Sequence, residues 1–288
     1  MVKPIVFVIN ILFFLTASIL AAADVSVKSH DFVVSGVIIN SGNANLIERF
    51  TQYLTAKSGH SLKPVFASTY QELSNTLRDN PDAIGWTCGA PYVQDHALDK
   101  QQLLSVPLFN GKPLYYSVIV TRKGRPEKSL TDFKQQILSY SDPRSNSGFV
   151  APAFQLKKQG IAIKTHFRLL LNAGNHERSI TAVLNGLADV AAIDEYVWVE
   201  YLKKFPQTGK SLHIIDRIGP FPFTPVVAGR SVPSDTIDKL NDALVNMPAD
   251  AEGRQLLKEL GIDGFVIKQN KFYDDIKVML TELGWRLN

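Results

Sequence analysis

Between Ser139 and Gly148 the chain reads Ser139-Tyr140-Ser141-Asp142-Pro143-Arg144-Ser145-Asn146-Ser147-Gly148, a strand end, a turn and a helix start crowded with hydroxyls. A helix N-terminus carries unpaired N–H groups and about half a positive charge, so small hydroxylated residues there can hold an anion. Ser145 and Ser147 would donate hydroxyls to it, and Gly148 would let the backbone come close. Helix capping uses the same residue types. One helix needs one cap, however, and three consecutive polar candidates exceed that need.

A second stretch repeats the arrangement. Strand 167–171 runs into Asn172-Ala173-Gly174-Asn175-His176-Glu177-Arg178-Ser179 and then a helix, placing His176 in the first turn, where a ring N–H and the helix dipole both favour an anion. A structural histidine is the alternative. A third strand end, Ala192-Ile193-Asp194, puts a carboxylate where a protonated ligand oxygen would need an acceptor, although Asp194 is equally an N-cap.

Other chemistries fail on spacing. Cys88 is the single cysteine, which removes disulfide frameworks and cysteine-based metal sites, and His30, His60, His96, His166, His176 and His213 lack metal-ligand spacing. No metal and no cofactor is expected. Gly209-Lys210-Ser211 ends like a phosphate-binding loop, but Lys204 stands where its first glycine belongs. A zinc-protease reading of His176-Glu177 needs a histidine where Ile180 stands, and Ser145 to Phe149 lacks the glycines of a nucleophile elbow. An enzyme reading survives only as a Ser147, His176, Asp194 triad, which requires the base to touch both partners. The expectation is a binding protein and not an enzyme.

These strand ends must be carried by an alternating α/β framework. Strands are expected at 32–40, 62–67, 82–87, 115–121, 137–141, 167–171, 189–193, 212–218 and 226–228. Helices are expected at 44–57, 69–78, 147–158, 177–187, 195–204, 234–246, 250–260 and 273–283, with Pro220, Pro222 and Pro225 breaking regularity. The opening β-α-β-α-β run implies parallel strands. Residues 122–128 form a candidate linker, and the C-terminal helices are expected to pack back on the first unit.

The first 23 residues read as a signal peptide: Lys3, an apolar stretch from Ile5, and the alanines Ala21 to Ala23. A membrane anchor is the alternative reading, since the stretch nearly reaches the ~20 residues of a span. The remaining chain is expected to be soluble and exported, with Cys88 buried rather than reactive. Its 31 basic and 27 acidic residues are interleaved, giving +4 without a basic run, so no nucleic-acid partner is indicated.

Taken in succession, Tyr70, Gly89-Ala90-Pro91-Tyr92-Val93, Pro113-Leu114-Tyr115-Tyr116-Ser117, Asp142 to Gly148, Gly174-Asn175-His176 and Asp189 to Asp194 resemble the phosphonate, phosphite and phosphate family of periplasmic substrate-binding proteins. The resemblance runs from about residue 33 to about residue 260. It implies a two-lobed α/β fold of the type II periplasmic-binding-protein kind, each lobe a mainly parallel sheet flanked by helices, with the ligand cleft between them. The lobes would divide as 24–118 with 220–288, and 119–219. It further implies oxyanion donors at Ser145, Asn146, Ser147 and His176, an aromatic wall from Tyr70 and Tyr115 on the first lobe, and Asp194 as acceptor. The implied partners are a small oxyanion and an ABC permease in the inner membrane, with the chain a periplasmic monomer. A sensor feeding a membrane signalling partner is the alternative. Asn40-Ser41-Gly42-Asn43 departs from the family's proline-containing loop, and Asn146 replaces a threonine. If a dianionic ligand holds His176 as imidazolium, affinity should fall from about pH 6 to about pH 8.

Overall fold

The structure, a computed structural model, describes Val2, residues 29–37 and residues 43–287. Apart from Val2, the expected signal peptide lies outside the described residues, as does most of the 40–43 loop. Among the described residues no helix is long and apolar enough to cross a membrane.

The described strands are β1 (His30–Ser35), β2 (Leu62–Ala67), β3 (Ile84–Trp86), β4 (Gln102–Leu108), β5 (Leu114–Arg122), β6 (Ile137–Tyr140), β7 (Leu169–Asn172), β8 (Val190–Asp194), β9 (Leu212–Pro222), β10 (Val226–Ala228) and β11 (Gly264–Val266). They form two sheets. Lobe 1 holds six strands in the order β11-β4-β10-β3-β1-β2, and lobe 2 holds five in the order β7-β6-β8-β5-β9. β1 runs parallel to β2 and β3, and β6 runs parallel to β7 and β8. However, β10 runs antiparallel to β3 and β4, β11 to β4, and β5 to β8 and β9. Each sheet is therefore mixed and not mainly parallel as expected, because strands that follow a crossing between the sheets enter in the opposite direction. The interior strands are buried on both faces, all five residues of β8 among them, which is why they read as continuous apolar runs rather than alternating ones.

The chain passes between sheets twice, from β4 to β5 and from β9 to β10. β5 pairs with β9 from Leu114 onward, so residues 114–118 sit in the sheet of lobe 2 and not in lobe 1 as expected. β9 likewise continues through Pro220 to Pro222 instead of breaking there. It is an edge strand, where a missing N–H need not cost a ladder bond. The return segment is pinned to lobe 1: Trp86 Nε1 donates to Thr224 O at 3.2 Å, Thr87 N to Pro225 O at 3.0 Å, and Tyr273 Oη to Phe223 O at 2.6 Å. The C-terminal helices do pack on lobe 1, with Tyr53 Oη donating to Asp250 Oδ2 at 2.8 Å.

Several elements are absent from the sequence reading, among them one long helix, two strands and the short helices Ile163–His166 and Thr208–Ser211. Helix Gly89–Asp99 opens with Gly-Ala-Pro and is buried from Gly89 to Val93, so it shows little amphipathic contrast. β4 carries Pro107, and β11 has only three residues, too short for a period. The helix expected at 147–158 opens instead with a π-helical turn, Asn146–Val150, followed by α-helix Ala151–Lys157. The Phe149 and Val150 N–H groups both donate to Ser145 O, at 3.1 and 3.0 Å. Single π-turns of this kind are frequent at functional sites.

Candidate ligand-binding site

Because β6, β7 and β8 are parallel, their carboxyl ends lie at one edge of lobe 2, and they deliver Ser145 to Ser147, His176 and Asp194 together. Carboxyl ends of strands are where open α/β sheets hold ligands. β5 runs antiparallel to β8 with Ser117 opposite Asp194, so its first residues, Tyr115 included, join the same edge. Tyr115 therefore comes from lobe 2. Lobe 1 meets this edge with Val37 beyond β1, Tyr70 beyond β2 and Cys88 beyond β3.

All seven residues named from the sequence are 0 to 1 % exposed, so the facing lobes enclose them. Ser145 caps its turn, its Oγ accepting from Gly148 N at 3.0 Å. A Cβ on Gly148 would collide with Ser141 Oγ, so packing within the turn itself requires glycine there. Asn146 Nδ2 donates to Tyr115 Oη at 3.0 Å, and Asn146 N to Cys88 Sγ across the cleft at 3.4 Å. Ser117 Oγ donates to Ser147 O at 2.6 Å and fixes that backbone. Four side-chain atoms of the site are buried with no protein partner: Tyr70 Oη, Asn146 Oδ1, Ser147 Oγ and Asp194 Oδ2. Each such group costs on the order of 1–3 kcal/mol when left unpaired in an interior, and most native proteins do not leave them so.

The electrostatics follow from burial. Burial raises the phenols of Tyr70 and Tyr115 well above their ordinary range, so both remain hydroxyl donors. The Cys88 thiol is pushed up to about 11 and stays a buried thiol, as the sequence suggested. Burial also pushes the Asp194 carboxyl up to about 8, against the pull of the Tyr196 and Val197 N–H groups. Asp194 caps helix Glu195–Lys204, Oδ1 accepting from Tyr196 N at 2.9 Å. Its free Oδ2 thus carries a proton at neutral pH and offers an O–H donor, where the sequence suggested an acceptor alone.

His176 opens helix His176–Leu184, and its backbone N–H donates across the cleft to Val37 O at 3.2 Å. Its Nδ1 accepts the Asp194 N–H at 3.2 Å, which leaves the ring proton on Nε2, facing Ser141 Oγ at 3.2 Å and Ser145 Oγ at 3.5 Å. No catalytic triad exists in this arrangement: Nδ1 meets the backbone of Asp194 rather than its carboxyl, and Ser147 Oγ has no hydrogen-bond partner. Burial lowers His176 to about 3, so the imidazolium expected for a neutral-pH switch does not form in the closed site. Nitrogen-15 spectra of the His176 ring should accordingly show one neutral Nε2–H tautomer from pH 5 to pH 8. A titrating ring in that interval would show that burial does not control it.

Ser141, which orients His176, and Cys88, which receives the Asn146 N–H, were not singled out from the sequence. Ser141 lay within the hydroxyl-rich stretch, but only the β6–β7 pairing shows which serine meets the ring. Cys88 gave no signal beyond being buried.

Two sheets facing each other with their strand ends, joined by two crossings and enclosing unpaired polar groups, define a type II periplasmic binding protein. A profile of the family described as "ABC transporter, phosphonate, periplasmic substrate-binding protein" matches residues 41–273, and the chain belongs to that family. It is 28% identical over 235 residues to the phosphonates-binding periplasmic protein of Escherichia coli K12, covering 78% of this chain and 69% of that one. Among solved structures, a binding protein component of an ABC phosphonate transporter from Pseudomonas aeruginosa superposes with a TM-score of 0.80 at 20% identity, over 88% of this chain and 85% of that one. PhnD1 of Prochlorococcus marinus, in complex with methylphosphonate, gives 0.80 at 18% identity, over 89% and 98%.

Proposed function

We propose that this chain, exported after removal of residues 1–23, captures a small phosphonate- or phosphate-like oxyanion between its lobes and presents it to the permease of an ABC importer. The observation that carries the reading is the set of four unpaired buried atoms gathered from three separate elements, helix Tyr70–Asp79, the π-helical turn Asn146–Val150 and β8. Tyr70 Oη, Ser147 Oγ and protonated Asp194 Oδ2 are buried donors without a protein partner, and a tetrahedral oxyanion offers acceptors in several directions at once. Asn146 Oδ1 becomes an acceptor for a ligand hydroxyl. If the amide turns over, Tyr115 donates to Oδ1 and Nδ2 becomes a further donor.

The mechanism is lobe closure. Ser145, Asn146, Ser147, His176, Tyr115 and Asp194 hold the anion on lobe 2, and Tyr70 reaches it from lobe 1, so the ligand stabilises the closed form that a permease recognises. The anion is held by neutral dipoles and a helix N-terminus rather than by a cation. Hydrogen bonds to a charged group contribute ~1.5–3 kcal/mol each, so four or five of them, less the cost of closure, reach micromolar affinity or better.

Calorimetric titration with methylphosphonate, phosphite, phosphate and sulfate tests this. At least one phosphorus oxyanion should bind at micromolar concentration; no heat and no thermal shift with any of them would overturn the reading. Tyr115→Ala should weaken binding of that anion roughly tenfold, the effect of one hydrogen-bonding partner, while the serine turn still accepts it. Unchanged affinity would remove Tyr115 from the site.

A further inference from the structure

Arg144 belongs to the oxyanion turn but faces away from the oxyanion donors. Its Nη2 lies 2.6 Å from Asp95 Oδ1, its Nη1 2.5 Å from Ser74 Oγ and its Nε 3.3 Å from Gln94 Oε1. Arg144 rides on lobe 2, whereas these partners sit on helices Tyr70–Asp79 and Gly89–Asp99 of lobe 1. The pair is enclosed, with side-chain exposures of 12% for Arg144 and 2% for Asp95. Within lobe 1, Asp95 is held in place by Ser74 Oγ and by Gln101 Nε2 at 3.4 Å. On the other side of the same turn, Asp142 accepts from Tyr70 N across the cleft at 3.3 Å and from Arg144 N at 2.7 Å.

We infer that Arg144 and Asp95 form a latch, an ion pair completed only when the lobes meet, which holds them closed and sets how long a bound oxyanion is retained. This rests on the binding reading above for its ligand readout, and on the cross-lobe geometry alone for the rest. Exposed ion pairs contribute little, but removing one partner of an enclosed, hydrogen-bonded pair leaves an uncompensated charge. Such losses act on dissociation rather than association, because the pair forms after encounter. Arg144 precedes Ser145 directly, so anion capture by Ser145 to Ser147 and latch formation order one and the same turn. Arg144 is a positioning residue, and its loss should scale the affinities of all oxyanions by one factor without reordering them.

The experiment measures release of methylphosphonate by stopped-flow tryptophan fluorescence for the parent, Arg144→Gln, Asp95→Asn and the double variant. Each single variant should release ligand about 30-fold faster or more, with association changed by no more than a few-fold, and the double variant should be no faster than the singles. A merely structural role would not produce that non-additive split. A second readout needs no ligand. Cys88, the single cysteine, is 1% exposed and lies under the Asn146 N–H of the opposite lobe, so its labelling by an aromatic disulfide reports opening. Labelling of the ligand-free Arg144→Gln protein, in conditions where it remains folded, should be about tenfold faster than in the parent. If the parent binds no oxyanion, the binding reading fails and labelling still decides the latch. Unchanged labelling, or release effects that simply multiply in the double variant, would overturn the latch. Should Arg144→Gln not fold, Arg144→Lys retains the charge without the planar fork and should shift both readouts in the same direction.

Discussion

Replacing Ser145 and Ser147 together by alanine is expected to abolish oxyanion binding while the ligand-free protein melts within a few degrees of the parent. The main structural duty of Ser145 Oγ is accepting from Gly148 N at 3.0 Å, with His176 Nε2 a longer contact at 3.5 Å, and losing a cap costs ~0.5–2 kcal/mol. Ser147 Oγ has no partner, so its removal relieves an unsatisfied buried hydroxyl and offsets part of that cost. At roughly 2–4 °C per kcal/mol for a chain of this size, the melting change stays small. Binding responds differently. Two hydrogen bonds to an anion are together worth ~3–6 kcal/mol, a loss of about a hundredfold to ten-thousandfold. Calorimetry with methylphosphonate and a thermal scan of the same samples separate the two effects. Global unfolding of the double variant would assign the serines to capping, and retained affinity would take them out of the site.

Much of this site was legible because parallel α/β architecture brings distant segments together at one place. A strand, a polar turn and a helix start mark a carboxyl-end loop, and Ser145, His176 and Asp194 each occupy one. What the sequence could not supply was pairing. The lobe to which Tyr115 belongs depends on β5 joining β8 and β9, and a nine-residue apolar strand is equally at home in either sheet. The charge states were hidden for a related reason. His176 and Asp194 look like an imidazole near neutral pH and an ionised carboxylate, but enclosure by both lobes moves them in opposite directions, to about 3 and about 8. Arg144 read as one more turn residue, since nothing local announces a partner 49 positions away in sequence.

The pH behaviour should consequently be governed by Asp194 and not by His176. An acid whose folded value is raised from 3.8 to about 8 binds more protons in the native state throughout that interval, so stability falls as pH rises and levels off above about 8. His176, lowered from 6.5 to about 3, works the other way: stability rises with pH up to 6.5 and is then flat. The two slopes oppose each other in mild acid, and above pH 6.5 the Asp194 slope stands alone. The ligand-free protein should therefore lose roughly 2 kcal/mol of stability between pH 6.5 and about 8, read as a fall in denaturant midpoint, and Asp194→Asn should flatten that limb. Binding follows the same proton. On the proposed binding reading the Asp194 O–H would donate to the anion below about pH 8 and the ionised carboxylate would repel it above, so methylphosphonate affinity should drop with a slope approaching tenfold per pH unit, the limit for a single required proton. A carboxamide at this position has nearly the same shape and keeps a donor without titrating, so Asp194→Asn should bind with a nearly pH-independent affinity, whereas His176→Asn should weaken binding and keep the parent's slope. A slope that disappears in His176→Asn and persists in Asp194→Asn would place the controlling proton on the imidazole and refute the assignment.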